Sequence, residues 1–309
     1  TANVKLTYFL DEGVTELDLT GLVATAIFSD DSKNQSVAIA DLTIGEYDLT
    51  VAGNDKEIEV SYTIEGVTQR ASLFVTVKER TIDDVNEYQT KTFEYDASGK
   101  YAVDYSKVFD MKGRNLLEEG LITLSEGKTL VNADGNFVVI TVARFVSSKE
   151  QFLAINDNMD GYYLLTADID FGGGWYDYGT PRTSSSVIGA VPFNAEEGSD
   201  NHKLLDYVNG VGSAQVGIPF NGTIDGQGYA LKNLKMHCSE KPQGNFNRGV
   251  SVIGYVGEQG TVRNITLRNI YVTAGKYASF LVGYNKGTIE NICVEADCSM
   301  QTSYSGGTL

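Results

Sequence analysis

A short phrase returns three times toward the C-terminus: Lys232-Asn233-Leu234-Lys235-Met236, Arg263-Asn264-Ile265-Thr266-Leu267 and Glu290-Asn291-Ile292-Cys293-Val294. Its asparagines stand 31 and then 27 residues apart, and a second phrase, Ile253-Gly254-Tyr255 then Val282-Gly283-Tyr284, keeps step at 29. A unit this short cannot bury its apolar face alone, so neighbouring repeats must stack to make a core. Within each phrase apolar and polar residues alternate, which puts every second side chain on one face of a strand. The expectation is a solenoid of parallel strands. Leu234, Ile265 and Ile292 form one inward column at about 4.8 Å per coil, and Lys235, Thr266 and Cys293 an outward one. Asn233, Asn264 and Asn291 then meet at one corner, where their amides bond along the stack and to turn backbone.

Composition agrees with many short strands and tight turns: 33 Gly, 18 Tyr and 13 Phe stand against 4 Pro and 4 Met in 309 residues. The chain is expected to be all-β, with room for two or three domains. With 41 acidic and 24 basic residues its formal charge is −17, a surface that repels nucleic acid and anionic lipid. No apolar run of about 18 residues exists to span a bilayer. The opening Thr1-Ala2-Asn3-Val4-Lys5 lacks the plan of a signal peptide and reads as a trimmed start. Cys238, Cys293 and Cys298 have no CxxC spacing and lie apart in the sequence from His202, while His237 abuts only Cys238; neither a zinc site nor a Cys/His nucleophile is suggested, and the thiols read as structural.

Residues 1–79 read as strands with turn punctuation. Ile58, Val60, Tyr62 and Ile64 alternate with polar residues, Glu65-Gly66 turns the chain, and Ala71, Leu73, Val75 and Val77 continue the period of two, a hairpin with one buried face. The segments TYFLDEGVTELDLTGLVATAIFSDDSK and EIEVSYTIEGVTQRASLFVTV resemble the bacterial Ig-like domains of group 3, modules of cell-surface proteins. The resemblance implies a spacer without an active site. Residues 80–145, with alternating Phe93, Tyr95, Tyr101, Val103 and Tyr105 and the closing strand Phe137–Val142, read as a second small Ig-like β-sandwich; Asn115–Glu119 fits one helical turn or a loop.

At residue 146 the texture changes. Ser147-Ser148-Lys149-Glu150 is a capping-box pattern ahead of Phe152, Leu153 and Ile155, predicting a short helix that covers the exposed end of the first coil. The phrases that follow, SSKEQFLAI, YYLLTADIDF, VIGA, PFNGTIDGQGYALKNLKM, GVSVIGYV, GTVRNITLRNIYV and FLVGYNKGTIENICVEA, resemble in order the GLUG-type repeat region of bacterial surface proteins. That resemblance covers residues 146–309 and implies a right-handed parallel β-helix carried by an adhesin-like protein. The last residues mimic the start of the phrase at Ser279-Phe280-Leu281, so the native solenoid is expected to continue past Leu309.

Candidate sites each carry two readings. Asp225-Gly226, within GTIDGQG, resembles a phrase of polygalacturonase-like hydrolases, but their Gly-His-Gly and paired-aspartate motifs are missing; the structural reading is a tight turn in which Gly226 supplies a positive φ. Asp168 and Asp170 flank Ile169 and share a strand face, which suits a turn, with backbone oxygens a weak Ca²⁺ site, or acid–base chemistry if one carboxyl is desolvated. Trp175, Tyr176, Asp177 and Tyr178 sit in a Gly-flanked insertion: aromatic rings there can stack on sugars with Asp177 and Asn194 accepting from hydroxyls, or the lone tryptophan can be mostly buried on the first coil. The polar stretch 192–219 with His202 is a further place for a grafted surface.

The functional expectation is a non-catalytic, monomeric region of a secreted or wall-attached bacterial adhesin-like protein, without a required cofactor, displaying its β-helix to a glycan or host extracellular protein. The alternatives are a polysaccharide hydrolase or lyase and a purely structural stalk.

Overall fold

The computed structural model describes residues 4–103, 120–133, 135–176, 186–189, 219–237, 250–274 and 278–302. Among them strands dominate, and the one α-helix is the five-residue Lys149–Leu153. The chain divides into two compact units, one of Thr1–Thr92, Ser98–Leu124 and Lys128–Thr141, the other of Phe93–Ala97, Ser125–Gly127 and Val142–Leu309.

In the first unit a hairpin joins strands Gly53–Ile64 and Val67–Lys78, with Ile58 opposite Leu73 and Val60 opposite Ala71. Glu65 and Gly66 both take positive φ, at 50° and 82°, the turn whose twist matches that of the flanking strands. Thr7–Phe9 adds in parallel to one edge and Thr43–Ile44 antiparallel to the other. Tyr8, Leu49, Ile58, Val75 and Val77 are buried together, so one face of the hairpin carries this unit's core. Shorter antiparallel pairs join Ala24–Ala26 to Gln35–Val37 and Lys100–Ala102 to Leu121–Thr123. Residues 115–119 lie outside the described residues.

In the second unit strands fall into four rows of parallel pairs. The first row climbs from Arg144–Val146 through Tyr162–Leu165, Thr223–Asp225 and Thr261–Arg263 to Thr288–Glu290. The second pairs Ile169–Asp170 with Leu231–Lys232, Ala230–Lys232 with Thr266–Arg268, and Ile265–Leu267 with Ile292–Val294. The third pairs Trp175 with Lys235, Leu234–His237 with Ile270–Thr273, and Tyr271–Ala274 with Ser299–Thr302. The fourth sets Ser186 and Ile188 beside Ser251 and Ile253, and Ile253 and Tyr255 beside Val282 and Tyr284. Alternate residues point inward from the first three rows: Ile224, Val262, Leu231, Leu267, Met236 and Val272 are fully buried in one apolar core.

This register corrects the single column. Ile265 does lie beside Ile292, but Leu234 lies beside Ile270, and Asn233 belongs to another corner with Asn269. The long strand Thr261–Ala274 contains two left-handed residues, Asn264 at φ 55° and Asn269 at φ 49°, and so serves three rows. Asparagine tolerates this region because its short amide bonds locally. Lys235 likewise sits beside Tyr271 rather than Thr266, while Thr266 and Cys293 are neighbours as expected.

The helix begins one residue later than its sequence pattern suggests. Ser148 is the N-cap, accepting from the Gln151 N–H at 3.3 Å, and Gln151 reaches back to accept from the Ser147 N–H at 2.8 Å. Gln151, rather than Glu150, is thus the residue that reaches back, to the N–H preceding the N-cap. Phe152 and Ile155 are buried in the core of the second unit, Phe152 edge-on to Phe171 at 5.9 Å.

Candidate functional site

The polar side chains at the corners are engaged with one another. At one corner the Asn264 amide donates to Asp225 Oδ1 at 2.9 Å and accepts from the Asn291 amide at 3.1 Å. At the other the Asn233 amide donates to both oxygens of Asp170 at 3.0 Å, and Asn269 donates to Asn233 at 2.8 Å. Each ladder thus starts on an aspartate, whose carboxylate accepts and needs no donor beneath it.

Asp225 is nearly inaccessible, yet it is charged. Burial pushes its carboxyl up, but donation from the Asn264 amide, the Gln227 N–H and the Arg263 guanidinium, which stands 2.8 Å from Oδ2, outweighs this and holds it below the ordinary carboxylate range. A group so held cannot serve as the general acid of glycoside hydrolysis. The turn reading of Asp225-Gly226 needs one correction: positive φ falls on Gln227 and Gly228, at 52° and 87°, while Gly226 is required because a Cβ there would strike the Asn264 carbonyl.

Asp168 accepts from the Ala230 N–H at 2.9 Å and from Lys232 Nζ at 3.1 Å, with Arg268 3.7 Å away; the Ala230 N–H and Lys232 hold its carboxyl down. Asp170 accepts from Asn233 and the Gly172 N–H, which lower it too. Its oxygens and those of Asp168 face nitrogen donors, and two cations flank Asp168, a donor set that opposes Ca²⁺ rather than completing its oxygen shell. No cluster of three metal-ligating side chains occurs among the described residues.

The third row is different. Gly172 and Gly173 turn the backbone through positive φ, at 83° and 74°, and return it so that Trp175 pairs with Lys235 as an outward residue. Trp175 is 55% exposed, contrary to the burial expected of a lone tryptophan. Its ring lies 5.7 Å from the His237 ring and 5.7 Å from the Tyr271 ring. Lys235, Tyr271 and Ser299 form one outward file in register, and His237, Thr273 and Gln301 the next. His237 Nδ1 is 2.6 Å from the Thr273 hydroxyl, and the Tyr271 hydroxyl donates to Gln301 at 3.2 Å. Tyr176 turns inward and packs on the core, so it does not share the exposed surface. Asp177, Tyr178, Asn194 and His202 lie outside the described residues. His237, Tyr271 and Lys235 were not singled out as ligand contacts by sequence reasoning; the trace available there was their outward place in the strand alternation.

A second concavity, of about 560 Å³, is lined by Tyr95, Arg144, Gln151, Asp157 and Tyr163 among others. Its cation is met internally: Arg144 lies over the Tyr95 ring at 4.0 Å and pairs with Glu126 at 3.0 Å. The Tyr163 hydroxyl, pushed up to about 12 by burial, donates to the Asn158 carbonyl at 2.7 Å.

Fold and surface together define an all-β protein whose second unit is built from parallel strand rows, with polar ladders at its corners and an aromatic patch on one flank. No protein-family model matches the chain, and no solved structure does. Two curated relatives match in part. A stretch of 132 residues, 43% of this chain, is 29% identical to halomucin of Haloquadratum walsbyi, of which it covers 1%. A stretch of 79 residues, 25% of this chain, is 34% identical to a putative Gly-rich membrane protein of Evansella cellulosilytica, of which it covers 8%. The chain therefore spans a small fraction of the length of either relative. No described helix is long and apolar enough to cross a membrane.

Proposed function

We propose that this chain is a non-catalytic display region of a secreted or cell-surface bacterial protein of adhesin type, presenting the Trp175 flank to a glycan. On this reading the four rows are the faces of a right-handed parallel β-helix of the GLUG-repeat kind over residues 146–309, and residues 1–79 and 80–145 are Ig-like spacers that hold it outward as a monomer. The observation that carries it is the half-exposed Trp175 ring, set within 6 Å of both Tyr271 and His237 on a row whose other outward residues are hydrogen-bonding groups. Pyranose rings bind such surfaces by laying their C–H faces on aromatic rings while hydroxyls meet polar neighbours.

A repeating rod suits this role, because shallow contacts on a rigid flank gain strength through multivalency rather than through any one deep pocket. The test is binding to a glycan array, with Trp175→Ala and Tyr271→Ala as controls. Trp175 is exposed and Tyr271 half-buried, and both are outward residues of their strands, so truncation leaves the core closed and loss of binding with unchanged unfolding would support the reading. Release of reducing ends or unsaturated sugars from polysaccharide would replace it with the enzymatic alternative, and silence in both assays would leave a stalk.

A further inference from the structure

Building on the glycan reading, we infer that the flank recognises a sugar carrying an isolated anionic group, with Lys235 as its counter-charge. The cations on the neighbouring rows are already committed: Lys232 to Asp168 at 3.1 Å, Arg263 to Asp225 at 2.8 Å and Arg268 to Glu295 at 2.7 Å. The Lys235 ammonium makes no hydrogen bond or ion pair with any described residue, although the side chain is partly covered on the file it shares with Trp175 and Tyr271. In a chain of formal charge −17, the described outward residues of this row include no carboxylate at all.

Register sets which charge an acid group would meet. Lys235 is the strand partner of both Trp175 and Tyr271, whose rings stand 5.7 Å apart, so a sugar laid on this aromatic pair lies within reach of the Lys235 side chain. The rest of the surface repels a dense polyanion, but at physiological salt that repulsion is screened over about 8 Å, so one acid group in contact with Lys235 is governed by the nearer charge. A carboxylate and a sulfate ester share this chemistry.

The test uses the whole chain with three matched probes, lactose, sialyllactose and sulfolactose, read by titration calorimetry. Binding of an acidic probe about tenfold or more tighter than its neutral counterpart, lost in Lys235→Gln and kept in Lys235→Arg, is the expected result, on the scale of one charge-assisted hydrogen bond. Preference for sialyllactose identifies the source as a carboxylate, and preference for sulfolactose identifies it as a sulfate ester. Equal binding of neutral and acidic forms, with Lys235→Gln silent and Trp175→Ala harmful, overturns this inference and spares the glycan reading. If no saccharide on the array or among these probes binds, both fall.

Discussion

Replacing Asn264 by alanine removes three things at once. The side chain gives a hydrogen bond to the charged Asp225, accepts one from Asn291, and makes a φ of 55° tolerable. Hydrogen bonds to charged partners contribute about 1.5–3 kcal/mol and neutral ones about 0.5–1.5, while left-handed backbone costs an alanine about 1 kcal/mol. Asp225 keeps Arg263 and the Gln227 N–H, so its desolvation stays largely compensated and the lower part of each range applies. The expected loss for Asn264→Ala is about 2–4 kcal/mol. Asn264→Gly relieves the backbone and should be milder by about 1 kcal/mol. Asn291→Ala, at the exposed top of the ladder with one bond to lose, should cost about 1–2 kcal/mol. Trp175 is the chain's only tryptophan and sits in the second unit, so its fluorescence during urea unfolding reports that unit alone. The m-value should stay constant while the midpoint falls. If Asn264→Ala lies within about 0.5 kcal/mol of the wild type, the ladder contributes nothing and the account of the corners is wrong.

Two further outcomes can be read with the same probe. A Cβ on Gly222 would fall on the Gly161 carbonyl and come within 2.8 Å of the backbone carbon of Asp160, atoms held by the parallel pairing of the first row. Gly222→Ala should therefore cost more than about 3 kcal/mol, against about 1 kcal/mol for Gly172→Ala, whose Cβ meets open space and only strains φ; equal costs would contradict the close approach. Acid should weaken the second unit through Asp225: its folded pKa lies below the unfolded value, so its contribution is present above about pH 4 and is lost as pH falls through the folded value. Asp225→Asn should flatten that part of the stability curve, and an unchanged acid limb would refute the assignment.

The repeat and the use of asparagine at corners were legible because alternation of apolar residues and left-handed asparagine leave direct marks on sequence, but the single corner expected for Asn233, Asn264 and Asn291 is in fact two. The register was not. Leu234 packs equally well beside Ile265 or Ile270 as far as hydrophobic pattern goes, and only the amide contact of Asn233 with Asn269 distinguishes the two. The doublet Arg263-Asn264-Ile265 and Arg268-Asn269-Ile270 held the information, since two corners five residues apart imply two rows served by one continuous segment. Gly226 shows a related ambiguity: sequence says that a side chain is unwelcome, without saying whether dihedral or proximity is the reason.

Trp175 was harder to place because its environment depends on residues far along the chain. The glycine run before it permits several returns, and burial statistics for tryptophan favour an inward one. What turns it outward is backbone pairing with Lys235, sixty residues later, which puts the indole on the odd side of the alternation. The same pairing brings His237 and Tyr271 under its edge, so patch and register are decided by one event. The polar side chains at the corners are spent on the ladders, and the inward residues on the core. On the described rows the outward side chains left outside ladders and ion pairs include Trp175 and Lys235, and these are the groups on which the proposed glycan contact is built.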